Sequence, residues 1–227
     1  MDKAIGAAFK QLRNSRGKDL PTTSEHFTKI LIARYKMVFM HIANEICPRF
    51  VVREEFKDNI SKVFDYAIGY PHDGIDLSKG LWLAGDVGTG KSTMLEIARQ
   101  FVKLNLTLEP TEFGQSEKMF VITNAAKACL WYSDEANGGL AAIERLTNGN
   151  RAFDELGSEP EKAKYFGTEL NVMQQILQTR YDGRDKYITH VTTNMTMEDV
   201  TARYGGRIED RCSQMFNVIT FKGYSFR

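Results

Sequence analysis

Gly85-Asp86-Val87-Gly88-Thr89-Gly90-Lys91-Ser92 sets glycines, a lysine and a hydroxyl in the spacing G-x-x-x-x-G-K-[ST]. Glycines let a backbone turn tightly enough to aim successive N–H groups at one anion, and a helix beginning near Lys91 adds the positive end of its dipole. That is chemistry for phosphate oxygens. Lys91 would reach the β- and γ-phosphates of a nucleotide, and Ser92 would offer its hydroxyl to Mg²⁺. Average composition yields the pattern by chance in about one chain in a hundred of this length, so its context matters. Leu81-Trp82-Leu83-Ala84 before it is a buried-strand run, and Leu95, Ala98, Phe101 and Val102 after it recur at helical spacing, which is the strand-loop-helix setting the chemistry requires.

Hydrolysis of a bound nucleotide also needs a carboxylate for the metal and a second one to orient or deprotonate water. Asp154-Glu155 is the stronger candidate pair, although only Ala152 and Phe153 before it are apolar. Asp134-Glu135, after Leu130-Trp131-Tyr132, is the rival; it follows the preceding strand too closely for a parallel crossover and leads into a turn. Asn194 closes the β-branched run 187–193, at the carboxyl end of a parallel strand, where open α/β sheets bind ligands. There it could hold the attacking water or sense a γ-phosphate, or serve as a helix N-cap. Arg207 and Arg211 lie four apart on one face of a short helix, placed either to reach a neighbouring subunit's phosphate or to pair with Glu209 or Asp210.

Elements that position these groups follow from periodicity. A helix is expected from Ser24 until Pro48 breaks it and a second from about Arg53 to Ile68; residues 1–20 carry little signal beyond a short helix ending near Arg16. After the first core helix come a strand at 119–122, helices at 125–132 and 140–146 around Asn137-Gly138-Gly139, a long helix over 168–181, and strands at 187–193 and 217–221. Strands alternating with helices predict an α/β fold, a parallel, doubly wound sheet with helices on both faces.

At 227 residues the chain has room for one α/β core and a smaller helical region, and its 42% hydrophobic content is ordinary for a globular protein. Lys3, Lys10, Arg13, Arg16 and Lys18 interrupt every candidate signal segment and no membrane span is legible, so a cytoplasmic location is expected. Cys47, Cys129 and Cys212 form no metal-ligand pattern and read as reduced thiols. A net charge of +1 disfavours a strongly basic nucleic-acid binder without excluding a local basic stripe.

Taken together, GDVGTGKST, FDELGSEP, ELNVMQQILQTRY, THVTTN and YGGRIEDRCSQMFNVITF resemble the AAA+ ATPases of the DnaC helicase-loader and IstB transposition-helper group, over about the last two thirds of the chain. The ELNVM and MFNVITFKG wording is most similar to short ATPases carried by phages and mobile elements. The resemblance implies a P-loop, five-stranded parallel sheet of order 5-1-4-3-2, ATP with Mg²⁺ as ligands, and a homo-oligomeric ring or spiral. It divides the chain into a helical N-terminal region, residues 1–70, that grips a partner, and an AAA+ domain, residues 71–227. It places Gly85, Asp86, Val87, Gly88, Thr89, Gly90, Lys91, Ser92 and Thr93 in the Walker A loop, Asp154 (metal) and Glu155 (catalytic) in Walker B, Asn194 at sensor 1, and Arg211 as an arginine finger with Arg207 as its neighbour and substitute. The sequence departs from the group in its polar strand before Asp154 and in stopping at Arg227 without a helical lid domain.

The expected function is therefore an ATP-hydrolysing switch that loads or remodels a replicative helicase or a transposase, with single-stranded DNA as a candidate contact. A clamp in which ATP binds without turnover is the alternative. A small-molecule kinase would need an acceptor site and a lid of arginines that the sequence does not offer.

Overall fold

Two apolar runs and one β-branched run, 81–83, 152–153 and 189–193, become the inner strands of one sheet, each covered by helices on both faces and so without a solvent side to pattern. The computed structural model describes residues 25–70, 73–108 and 119–223. In chain order these form α1 (Glu25–Ile46), a 3₁₀ turn (Glu54–Phe56), α2 (Lys57–Ile68), β1 (Gly80–Gly85), α3 (Lys91–Leu108), β2 (Val121–Asn124), α4 (Ala125–Tyr132), α5 (Leu140–Thr147) and β3 (Arg151–Leu156). There follow β4 (Ala163–Tyr165), β5 (Thr168–Leu170), α6 (Val172–Asp182), β6 (Thr189–Thr193), α7 (Met197–Tyr204), α8 (Gly206–Met215) and β7 (Phe216–Phe221). The helix expected near Arg16 lies outside the described residues.

The main sheet runs β2-β3-β6-β1-β7, all pairs parallel. Counting only these five strands in chain order gives 5-1-4-3-2 from the opposite edge, the order implied by the resemblance. Side chains alternate across it. Leu81 and Leu83 face a core shared with α1, α2 and α3, whereas Trp82 faces a second core shared with α4 to α8.

The N-terminal helices are part of the first core. Phe39 of α1, Phe64 of α2 and Phe101 of α3 pack edge to face, with ring centroids 5.4, 5.6 and 6.2 Å apart, and Tyr35 joins at 6.2 Å from Phe101. Such pairs add about 0.5–1.5 kcal/mol each beyond the area they bury.

Three local expectations are corrected. The second strand starts at Val121, two residues later than its apolar run. The long helix starts at Val172, with Asn171 as N-cap accepting the Gln174 N–H at 3.1 Å, while Thr168–Leu170 pairs with Ala163–Tyr165 in an antiparallel hairpin that periodicity did not reveal. The strand before Asp154 is six residues long despite its polarity. Arg151 at its start turns outward and donates to the carbonyls of Arg145 and Asn148, at 2.7 and 3.1 Å. Beneath it Arg180, 2% exposed, donates to Thr189 Oγ1 and to the carbonyls of Leu146, Thr147, Gly149 and Ile188, fixing the approach to β3.

Candidate functional site

Strand β1 ends at Gly85 with φ 135°, where a β-carbon would stand 1.9 Å from the Phe221 carbonyl oxygen, so only glycine fits this close approach to β7. The loop continues over Asp86–Gly90, and α3 begins at Lys91 with the Met94 N–H on the Gly90 carbonyl at 2.8 Å. The Lys91 ammonium lies back across the loop, donating to the carbonyls of Gly85 and Asp86 at 2.8 and 2.7 Å. Thr89 donates to the same Asp86 carbonyl at 2.8 Å. Burial holds Lys91 below the usual lysine range, against the opposing pull of the Asp86, Asp154 and Glu155 carboxylates. Ser92 is exposed on the first turn of α3 and Thr93 half-buried behind it.

Both carboxylates sit on an irregularity in β3. Phe153 pairs with Val191 and Leu156 with Thr193, so β3 inserts one extra residue at Asp154-Glu155. Glu155 takes φ 57°, a left-handed conformation that costs a non-glycine residue about 1–3 kcal/mol and that marks functional sites. Thr192 on β6 stabilises the bulge: its hydroxyl donates to Asp154 Oδ1 at 2.5 Å and accepts the Glu155 N–H at 2.9 Å. From the other side, Asn124 Nδ2 at the end of β2 donates to Glu155 Oε2 at 2.9 Å. Asn194 is exposed at the end of β6, and the N-cap of the following helix is Thr196, so Asn194 is not committed to capping. The rival Asp134-Glu135 stands in the exposed turn after α4, where Asp134 accepts the N–H groups of Ala136 and Asn137.

A cavity of about 260 Å³ opens along these strand ends. One wall is Val87–Met94 with Glu155, Thr192, Thr193 and Asn194; the other is Cys47, Arg49, Phe50 and Val51, with Phe56, Ile60 and Phe221 beneath. The first wall offers N–H groups, an ammonium and hydroxyls to an anion, and the second offers the apolar Phe50 and Val51 together with Arg49 to a ring. Sequence reasoning missed the second wall, and also Thr192 and Asn124. Polar residues at the carboxyl ends of parallel strands, the signal that selected Asn194, would have selected Asn124 as well.

Arg207 and Arg211 lie elsewhere. Arg207 is exposed on α8, Arg211 stacks its guanidinium 4.4 Å from the Tyr181 ring centroid, and neither lines the cavity. Glu209 takes the Thr201 hydroxyl at 2.7 Å.

Among the described residues no cluster of three or more His, Cys, Asp or Glu could hold a metal alone. The Ser92 hydroxyl and the Asp154 carboxylate are hard oxygen donors of the kind Mg²⁺ takes together with water and phosphate, so the residues present fit that ion. No described helix is long and apolar enough to cross a membrane.

No family model matches the chain, and no curated protein matches it. The likeness is to solved structures. A candidate primosome component from Streptococcus pyogenes serotype M3 aligns with a TM-score of 0.53 at 20% identity, over 78% of this chain and 85% of that one. The DnaC helicase loader aligns with a TM-score of 0.53 at 16% identity, over 78% and 96%. The replication initiator DnaA bound to AMPPCP and single-stranded DNA gives 0.51 at 14% identity, over 78% of this chain and 49% of that one. At these identities what is shared is the fold: the chain has the five-stranded parallel α/β fold found in the DnaC helicase loader.

Proposed function

We propose that the chain binds ATP with Mg²⁺ in this cavity and hydrolyses it in an assembly of its own copies. The observation that supports the reading is the strained bulge at Asp154-Glu155, which puts Glu155 on the wall of the same cavity as Lys91 and both carboxylates near enough to act on its ammonium through charge. In this reading residues Gly85 to Thr93 cradle the phosphates and Lys91 neutralises the β- and γ-phosphates. Ser92 and Asp154 would hold Mg²⁺, which would supply positive charge against the phosphates. Glu155 orients or deprotonates water, and Asn194 holds that water against the γ-phosphate. The wall of Cys47, Arg49, Phe50 and Val51 takes the base. Arg211, with Arg207 beside it, completes the site of an adjoining copy, because neither reaches the cavity of its own chain.

The biological partner we propose is a replicative helicase that the assembly, an open ring or spiral in the cytoplasm, loads or remodels; a transposase is the alternative, and single-stranded DNA a direct contact to test. Residues 1–70 are the proposed partner-docking region and residues 71–227 the ATPase. The phage and mobile-element kinship rests on sequence wording alone.

The test is the ATPase rate per subunit against protein concentration, with Mg²⁺ present. A rate that rises with concentration is expected. A flat, measurable rate would mean a self-contained site and would overturn the trans arginine. No turnover at any concentration would favour the second reading, an ATP-dependent clamp. That reading draws support from the Phe39–Phe64–Phe101 contact, which ties α1 and α2 to the helix of the phosphate loop.

A further inference from the structure

We infer that Glu159 is a positioning residue for the arginines of α8, a buried latch joining the loop that carries Glu155 to the joint from which α8 projects. This rests on the trans-arginine reading above and names what sets the arginine's place.

Glu159 has a side chain 1% exposed, in the loop just beyond the bulge. Its Oε2 accepts the Gly157 N–H at 2.8 Å. Its Oε1 accepts from Arg203 Nε at 3.4 Å and from the Tyr204 hydroxyl, and its backbone carbonyl accepts from Arg203 Nη2. Each of these partners donates to Glu159. Burial, reinforced by the Glu159 hydrogen bond and charge, pushes the Tyr204 phenol far above its usual range and keeps it a donor. A buried pair of this kind is weak support for stability, because an apolar set of similar volume would do as well. What it supplies is a fixed geometry.

That geometry concerns one joint. Arg203 and Tyr204 are the last residues of α7; Gly205, at φ 85°, turns the chain, and α8 starts at Gly206. The start of α6 grips the same joint, Asn171 donating to the Arg203 carbonyl at 3.1 Å and Gln174 to the Tyr204 carbonyl at 2.8 Å. The end of α6 supplies Tyr181, which stacks under Arg211 and donates to Gln214 at 2.9 Å. On the other side of the latch, the Ser158 N–H bonds the Glu155 carbonyl at 3.0 Å, so the residue next to Glu159 is tied to the bulge itself. A rearrangement at Glu155 is thereby passed to the direction in which α8 points. Glu159 touches neither the cavity nor solvent and acts only through Arg203 and Tyr204.

The experiment uses the full chain with Glu159→Gln, which keeps size and presents an amide to a nest of donors. ATP-analogue affinity should stay within about twofold of wild type, while turnover at assembling concentrations falls by about 10²-fold or more. Mixing discriminates. Glu155→Gln subunits cannot hydrolyse but keep their arginines, so adding them to Glu159→Gln subunits should restore turnover; adding Arg211→Ala subunits should not. Normal turnover by Glu159→Gln alone, or no rescue by Glu155→Gln subunits, would overturn the latch. A concentration-independent wild-type rate would instead overturn the trans arginine, before any Glu159 variant is made. Tyr204→Phe removes one hydroxyl and keeps the ring in the core; it should give the same pattern with about a tenfold loss, and stands as the test if Glu159→Gln does not fold.

Discussion

Asn124 Nδ2 donates to Glu155 Oε2 at 2.9 Å, bridging the carboxyl ends of the neighbouring parallel strands β2 and β3. The same asparagine caps α4, its Oδ1 accepting from the N–H groups of Ala126 and Lys127 at 2.9 and 3.3 Å. One side chain therefore serves two structures, and the two roles can be separated by substitution.

Asn124→Ser keeps a capping hydroxyl but cannot reach Glu155. Stability should change by less than about 0.5 kcal/mol, because serine caps about as well as asparagine. The freed carboxylate loses a bond that draws it toward β2, so turnover should rise by about tenfold at unchanged ATP affinity. Steady-state kinetics with a parallel binding titration measure both. A fall in turnover would mean that the amide aims Glu155 productively.

Glu155→Gln should retain ATP binding and lose hydrolysis. Glu155→Gly loses hydrolysis too but removes the left-handed strain, and should raise stability by up to about 1 kcal/mol, or about 2–4 °C in Tm for a chain of this size. Thermal unfolding of the two variants side by side is the measurement; a glycine variant less stable than the glutamine variant would contradict a strained bulge.

Arg180→Leu is expected to cost about 3–5 kcal/mol, since it takes a donor from the buried Thr189 hydroxyl, from the buried Leu146 carbonyl and from the part-buried carbonyls of Thr147, Gly149 and Ile188. Denaturant unfolding should show a lower midpoint with an unchanged slope. A loss under about 1 kcal/mol would mean that water replaces the guanidinium.

Cysteine alkylation reads the cavity wall directly. Burial pushes the Cys129 and Cys212 thiols up to about 12, so almost no thiolate exists at pH 8 and both should resist N-ethylmaleimide. Cys47 is half-buried and lines the cavity, so it should label first and be protected by ATP. Mass spectrometry after brief exposure, with and without ATP, gives the answer; equal labelling of Cys47 in both would place the base elsewhere.

The sheet and most of the first wall were legible because they are local. The phosphate loop is contiguous, and buried parallel strands are short apolar runs. The hairpin was not, because Leu170 stands three residues before Met173 and extends a helical period that Asn171 in fact caps. The polarity of β3 misled for a related reason: Arg151 is satisfied by carbonyls of the preceding turn, which no periodicity encodes. The wall of Cys47, Arg49, Phe50 and Val51 was invisible because it exists only once α1 and α2 dock on α3.

That docking has a mechanical corollary. Phe39, Phe64 and Phe101 join α1 and α2 to α3, and α3 begins at Lys91. Force applied to the N-terminal helices is borne by the helix that anchors the phosphate loop, as a handle bears on the jaw to which it is riveted. Whatever pulls on α1 thus strains the start of the helix at Lys91.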